Sequence, residues 1–278
     1  MRRKAVAAVS RRELLVMVVV AGGLWMVLSA TWVMLPFRLL VTLVHEANHA
    51  VAAEIVGGDV HYVIVNEHGG GLTAWDYDGQ PSDTAVLFVA SAGYVGTAVI
   101  GALLIEGAAR LRRGRVAAIA LAATIAAIGL AWVPWRVDPG PFAAAGTGSD
   151  SGDGRFTVLV CCLAIAALVG IAFQPSVRLR RLSITALATT LCLAAVDDLR
   201  EVLDWSSRGG HSDAAIAAEF SPLSSWMWAG VWLLVGLGAC ALGLWSALSG
   251  DRSTDGSSAP SELPLLNDPS ADPKTRMP

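Results

Sequence analysis

The sequence predicts an all-α polytopic membrane protein of about six to seven apolar helices with a small membrane-associated β-hairpin. Hydrophobic residues make up 54% of the 278-residue chain and charged residues only 15%, whereas a globular domain carries about 25% charged residues. The apolar residues also come in runs long enough to cross a bilayer, which takes about 20 residues. A short segment rich in β-branched residues interrupts these runs and predicts the hairpin.

Charge and cysteine content exclude several other classes of protein. The formal net charge of −3 gives no basic surface for DNA or RNA, so we expect no nucleic-acid partner. The four cysteines lie in apolar stretches and form no C-x-x-C pair, which is typical of small hydrophobic core residues. The chain is therefore neither a nucleic-acid binder nor a secreted disulfide scaffold.

Seven apolar segments follow one another along the chain, and the second is interrupted by ionisable residues. The first is long and lacks a convincing small-x-small cleavage site, so we expect an uncleaved first span rather than a signal peptide. The segments cover residues 14–35, 39–56, 84–109, 116–135, 156–173, 182–196 and 226–248.

Three other stretches have the composition of surface segments. Residues 60–65 and 71–77 are strand-like and enclose a turn at 66–70, which predicts a β-hairpin at or in the membrane surface. Residues 136–155 predict a solvated loop, and residues 249–278 a disordered tail rich in Ser, Asp and Pro. We therefore divide the chain into a basic cytoplasmic N-terminus (1–13), a membrane domain (14–248) and this tail.

Basic residues in short loops predict the orientation of the chain. Arginines and a lysine within residues 2–12 place the N-terminus in the cytoplasm, and two further arginine clusters lie at 110–115 and 178–181. If all seven segments spanned the membrane, both clusters would fall outside. A second segment that dips into the membrane and returns places all three clusters inside, so the charge distribution favours a re-entrant or partly inserted second segment.

The second segment carries the motif H-E-x-x-H. His45 and His49 are four residues apart on a predicted helix, so both imidazoles can face one metal ion. Glu46 lies next to the first histidine, where it can act as general base on a metal-bound water. Ionisable residues at membrane depth are costly and usually mark a functional site. The motif therefore predicts a metal centre on an apolar helix.

A catalytic zinc site usually has three protein ligands and one open position, and the residue types leave several candidates for the third. Asp197 and Asp198 end an apolar run, although a helix end at the water interface beside Arg200 explains them slightly better. Asp213 precedes a short helix, where an acidic residue is also common as a first-turn charge. His61 and His68 lie on the predicted hairpin.

The order of these motifs resembles the site-2-protease-like membrane zinc metallopeptidases, in particular a compact bacterial branch without a PDZ domain. The resemblance covers roughly residues 35–248. The matching landmarks, in order, are His45-Glu46-Ala47-Asn48-His49, Gly57-Gly58, Gly71-Leu72-Thr73, Ala92-Gly93-Tyr94, Ser212-Asp213-Ala214, and Trp228 with Trp232 in the last span. The best-known members of the family have a glycine at the position of Asn48.

The resemblance implies a function and a set of site residues. His45, His49 and Asp213 would bind Zn²⁺, with Asp197 or Asp198 as the alternatives to Asp213, and Glu46 would be the catalytic base. It also implies a bacterial plasma-membrane protein that hydrolyses peptide bonds of membrane-protein substrates in or near the lipid bilayer. No residue pattern indicates an oligomeric state.

Two alternative functions follow from the same residues. A non-catalytic metal-binding membrane scaffold or regulator would keep the fold without a convincing third ligand. A transporter could use His45, Glu46 and His49 as a proton or metal relay, but the chain lacks the internal repeat common in secondary transporters.

Overall fold

A computed structural model describes residues 11–109, 111–134, 154–205 and 212–249 of the chain. The side chains of residue 11 and of residues 111–113 and 195–205 lie outside this description. The predicted loop at 136–155 falls almost entirely outside the described residues, and so do the predicted tail from residue 250 onward and residues 1–10 of the N-terminus.

Helices make up most of the described chain. They are α1 (Arg11–Leu28), α2 (Leu35–Ile55), α3 (Asp83–Ala109), α4 (Leu111–Ala131), α5 (Gly154–Phe173), α6 (Val177–Trp205), α7 (Asp213–Glu219) and α8 (Ser225–Ser249), with a 3-10 turn at Trp32–Met34 before α2. Seven of these helices coincide with the seven apolar segments, which confirms the predicted fold class. The short α7 is additional.

The number of helices that could cross a membrane is lower than predicted. By length and composition, four described stretches qualify, namely Asp83–Ala109, Gly114–Ala131, Gly154–Phe173 and Ser225–Ser249. Helices α1, α2 and α6 each contain several charged residues, such as Arg38, Glu46 and Glu54 in α2, and these lower the mean hydropathy. The chain is an integral membrane protein, and within its described residues four helices, rather than the expected six to seven, are long and apolar enough to span a membrane.

The predicted hairpin is present, formed by β1 (Asp59–Val65) and β2 (Gly71–Asp76). The strands are antiparallel, with Val65 opposite Gly71 and Val63 opposite Thr73, and the register shifts between Val60 and Tyr62. β1 has its inner residues buried, whereas β2 is half-buried or exposed. β2 is therefore the accessible edge of the hairpin.

Gly57 and Gly58 set the sharp connection from α2 into β1. Gly57 has a φ of +86°, the left-handed conformation in which glycine commonly ends a helix. A Cβ on Gly58 would lie 2.7 Å from the Trp75 ring and 2.9 Å from the Asp76 carbonyl oxygen. The two glycines let the hairpin fold back closely onto the helix that carries the H-E-x-x-H motif.

The interior of the bundle is apolar and centres on α3 and α6. Leu43 and Val44 of α2 lie in the main core with Ile105 of α3, Ile125 of α4 and Leu191 of α6. Because α2 packs into this core along one face, its histidines are held between the hairpin and α3.

Candidate metal centre

The two histidines of the motif meet Asp213 from the other end of the chain. His45 Nε2 lies 2.9 Å from His49 Nε2 and 3.1 Å from Asp213 Oδ2, and His49 Nε2 lies 3.2 Å from the same oxygen. Within the described residues, these three are the group of metal-ligating side chains close enough to share one ion. Residues 45, 49 and 213 therefore form a compact set of two nitrogens and one carboxylate oxygen.

Asp213 reaches the histidines because α7 begins at that point. Ser212 is the N-cap residue of α7, and its hydroxyl accepts a hydrogen bond from the Ala215 backbone N–H at 3.2 Å. With the N-cap role filled by Ser212, the Asp213 carboxylate is directed to the histidines instead.

The tautomer of His49 is set by a backbone group. Its Nδ1 lies 2.7 Å from the carbonyl oxygen of Val89 in α3. A carbonyl only accepts hydrogen bonds, so Nδ1 carries a proton and Nε2 is the ring nitrogen that can bind a metal ion. A backbone carbonyl that accepts from the other ring nitrogen commonly orients a metal-ligating histidine in this way.

The geometry fits a bound zinc ion. Tetrahedral zinc with ligands at 2.0–2.2 Å places neighbouring ligand atoms about 3.3 Å apart, close to the 2.9–3.2 Å found here. A single proton shared among these three atoms can form a hydrogen bond between only some of them. A metal ion at their centre can bind all three. Two imidazoles and a carboxylate are a donor set that catalytic zinc sites use.

Gly93 of α3 leaves open the space in front of the two imidazoles. A Cβ at this position would lie 2.5 Å from His45 Nε2 and even closer to His49 Nε2. Any side chain at position 93 would displace these nitrogen atoms. Because Gly93 has no side chain, the space in front of the two nitrogens stays open to a metal ion. In the sequence, Gly93 is notable only as part of the Ala92-Gly93-Tyr94 match to the family.

We expect Gly93→Ala to abolish metal binding while the helices stay formed, because the added methyl group collides with both donor nitrogens. Elemental analysis of the purified variant, together with its circular dichroism spectrum, checks this. Gly170→Ala in α5 is the matched control, since a Cβ there meets nothing within 4 Å. Retention of stoichiometric metal by Gly93→Ala would contradict the assigned position of the ion.

Glu46 lies on the hairpin side of α2, against β2. Thr73 Oγ1 is 2.7 Å from Glu46 Oε2 and 2.9 Å from the Glu46 carbonyl oxygen. A Cβ on Gly71 would lie 2.7 Å from Glu46 Oε1, so the strand passes directly over the carboxylate. Glu46 is therefore held between the histidine pair and the hairpin.

Two more residues of α2 fasten the hairpin to the same helix face. Arg38 donates to the His68 carbonyl oxygen at 2.8 Å, and Thr42 donates to the Gly69 carbonyl oxygen at 2.7 Å. Arg38, Thr42 and Glu46 are spaced four residues apart and so line one side of a helix. Sequence reasoning missed this role, although polar residues at i, i+4 and i+8 on an apolar helix were a signal for it.

Aromatic residues support the other side of His45. The Tyr94 ring meets the His45 ring edge to face with centroids 4.5 Å apart, and it stacks on Trp232 at 4.3 Å. Trp232 in turn donates from its indole nitrogen to Ser91 Oγ at 3.2 Å. The last helix therefore holds His45 in place through Tyr94.

Asn48, which lies between the two histidines in sequence, is directed away from them. Its amide donates to the Val44 carbonyl oxygen at 2.8 Å, and it packs against Gly96 of α3, where a Cβ would come within 2.5 Å of its side chain. Gly96 provides the space that a larger residue at position 48 requires.

The other candidate ligands lie elsewhere or outside the described side chains. His61 pairs with Asp76 at 3.0 Å on the hairpin, and His68 is in the hairpin turn. The side chains of Asp197 and Asp198 are not among those described.

Comparison with known families agrees with the resemblance noted from the motifs. The model of one family, described as peptidase M50B-like, matches residues 14–137 and 154–243. A search of curated proteins and a search of solved structures each found no match. The family match includes both histidines, Glu46 and Asp213 and extends over most of the chain, and the protein therefore belongs to the peptidase M50B-like family.

Proposed function

We propose that this protein is a zinc-dependent membrane peptidase that hydrolyses peptide bonds of membrane proteins in or near the bilayer. The observation that carries the proposal is the meeting of His45, His49 and Asp213 around one point, with Glu46 beside it. Family membership supports a peptidase. Asp213 provides a third ligand. Its presence favours a catalytic protein over a non-catalytic metal-binding scaffold, which would not need a third ligand.

In this proposal, each residue of the site has a separate role. His45, His49 and Asp213 would hold the ion, which when bound lowers the pKa of a water molecule and polarises the scissile carbonyl group. Glu46 would act as general base, accepting a proton from the attacking water and passing it to the leaving amine. The Thr73 hydroxyl and the neighbouring strand keep the Glu46 carboxylate in position.

The outer edge of β2, which pairs with no other strand among the described residues, supplies a place for the substrate. The Val63 N–H bonds to the Trp132 carbonyl oxygen and the Val65 N–H to Thr157 Oγ1, so both groups are directed away from β2. In an antiparallel ladder, their partners Thr73 and Gly71 then direct their own N–H and C=O groups outward.

An unwound substrate segment can pair with those outward groups. A helix in lipid has all its backbone groups bonded and must open before a peptide bond can be attacked. Strand addition along Gly71 and Thr73 replaces the lost hydrogen bonds and brings the segment past Glu46. The substrate that fits is a membrane protein whose span can unwind locally.

The test is a cleavage assay with the full chain and single-span membrane proteins in the same vesicles. We expect zinc-dependent appearance of new termini within or next to the substrate span. Failure of a broad panel of such substrates to be cleaved by zinc-loaded protein would contradict the proposal.

In that assay, Thr73→Val should lower kcat/KM about 10- to 100-fold, because a hydrogen bond to a charged group contributes about 1.5–3 kcal/mol. Thr73→Ser keeps the hydroxyl and should restore most of the rate. The metal content of both variants should equal that of the wild type. If Val and Ser variants behave alike, Thr73 does not position Glu46.

A further inference from the structure

Three arginines gather where α4 and α6 begin, at the far end of α3 from Gly93. Each one donates to a carbonyl oxygen at or just after the end of a neighbouring helix. The bonds run from Arg115 Nε to Ala172 at 3.0 Å, from Arg180 Nη1 to Gln174 at 2.8 Å and from Arg181 Nη2 to Ala109 at 3.5 Å. Cations at helix C-termini are favourable, but these bonds use only part of each guanidinium group.

Arg181 has N–H donors that no described residue satisfies. A guanidinium has five N–H donors, and in Arg181 both Nε and Nη1 are buried without a hydrogen-bond partner. The residue is only 5% exposed. Leaving a buried charged donor unpaired costs free energy. Among the described residues, these two donors of Arg181 are therefore left without an acceptor.

The charges around Arg181 leave an excess of positive charge. The described neighbours whose charges act on it are Arg180, which repels it, and Glu13 of α1, which attracts it. Arg180 is itself 7% exposed, and Arg115 lies beside the same chain segment through Ala172. Among the described residues, the two buried guanidinium groups of Arg180 and Arg181 therefore exceed the one carboxylate, Glu13, whose charge acts on Arg181.

The surface next to the arginines is apolar. Leu179 and Leu182 flank the pair Arg180–Arg181 in sequence and are 46% and 45% exposed. Phe173, 62% exposed, lies 5.7 Å from the Arg115 guanidinium carbon, measured to the ring centroid. A ligand with an anionic head and apolar chains complements this combination, whereas a free ion uses only the arginines.

We propose that Arg181, with Arg180, binds the phosphate group of an anionic phospholipid at this end of the bundle. A guanidinium pairs with phosphate oxygens through two parallel N–H bonds, which supplies the partners that Nε and Nη1 lack. The long arginine stem lets the group turn outward to meet the headgroup. Basic pockets between membrane helices bind anionic headgroups in this way.

The test compares the thermal unfolding midpoint of the full chain in detergent with added phosphatidylglycerol, with phosphatidylcholine of the same acyl chains, and with inorganic phosphate. We expect phosphatidylglycerol to raise the midpoint by about 2–4 °C, the shift that 1 kcal/mol gives a chain of this size. Phosphatidylcholine, whose headgroup is neutral overall, and inorganic phosphate should give at most a small part of that shift.

Arg181→Gln should lose the response to phosphatidylglycerol. Arg178→Gln is the matched control, because Arg178 lies on the same helix and carries the same charge but is exposed, and it should keep the response. Arg181→Lys tests the planar fork if the Gln variant does not fold, and its shift should be less than half that of the wild type.

Three outcomes would overturn the proposal. An equal loss of response in Arg178→Gln would mean that general charge attraction, not a site, binds the lipid. A full response in Arg181→Lys, or in a folded Arg181→Gln, would remove Arg181 from the site. A shift with inorganic phosphate as large as that with lipid would assign the site to free phosphate.

Discussion

Replacing Glu46 by Gln is expected to remove peptidase activity while zinc stays bound. Gln keeps the size of the side chain and can still contact Thr73, but it cannot accept the proton of the attacking water. General base catalysis contributes about 10²–10⁴-fold, so cleavage of a single-span substrate should fall by at least about 100-fold. The rate is measured by the appearance of the cleaved fragment under single-turnover conditions.

Two controls make the result specific to Glu46. The zinc content of Glu46→Gln should match the wild type, because the ligand atoms of His45, His49 and Asp213 are unchanged. Glu54→Gln near the end of the same helix, where Glu54 Oε1 accepts from the Val60 N–H at 3.3 Å, should retain activity. Wild-type turnover by Glu46→Gln would show that another group accepts the proton.

Removing the Asp213 carboxylate is expected to weaken metal binding severely. With Ala at this position the ion would keep only two protein ligands, both from one helix. Loss of a group that only hydrogen-bonds to a metal ligand commonly costs about 10–100-fold in metal affinity, and loss of a direct ligand should cost at least about 100-fold. Competition with a zinc chelator of known affinity, followed by absorbance, measures the change.

Variants at the alternative carboxylates provide the comparison. Asp197→Ala and Asp198→Ala should bind zinc with wild-type affinity, and Ser212→Ala should show a smaller loss than Asp213→Ala because it removes only the cap of α7. Wild-type zinc affinity in Asp213→Ala, with a loss in Asp197→Ala or Asp198→Ala, would transfer the third-ligand role to those residues.

The membrane fold could be predicted from local patterns because the residues within each helix or strand are enough to indicate it. The apolar run at 156–173 predicted α5, and the structure has it at Gly154–Phe173. Strand-like residues around the turn at 66–70 predicted the hairpin. Fewer described helices qualify as spans than predicted, because several helices extend beyond their apolar run into charged residues, such as Arg178, Arg180 and Arg181 in α6.

Part of the site was equally local. The spacing of His45 and His49 predicts a shared helix face, and they do share one. The position of Asp213 depends on how α7 packs on α3 and α8, which no local pattern encodes. Residue types alone therefore left Asp213 level with other carboxylates, and only the family resemblance put it first.

The groups that surround the candidate metal site could not be predicted from the sequence for a different reason. His49 is oriented by the backbone carbonyl group of Val89. Because every residue has such a group, no residue type indicates this role. Gly93 acts through the side chain it does not have. Thr73 meets Glu46 only because the hairpin folds back over α2. Such roles depend on three-dimensional proximity and become visible only in the folded chain.

The most direct test of the account is the zinc content of the purified full chain, wild type against His45→Ala, measured by elemental analysis after removal of loosely bound metal. We expect one zinc ion per chain in the wild type and less than about a tenth of that in the variant, since two ligands from a tetrahedral set do not retain zinc against dialysis. Wild-type protein without stoichiometric zinc, or equal zinc in both proteins, would contradict a metal centre at His45, His49 and Asp213.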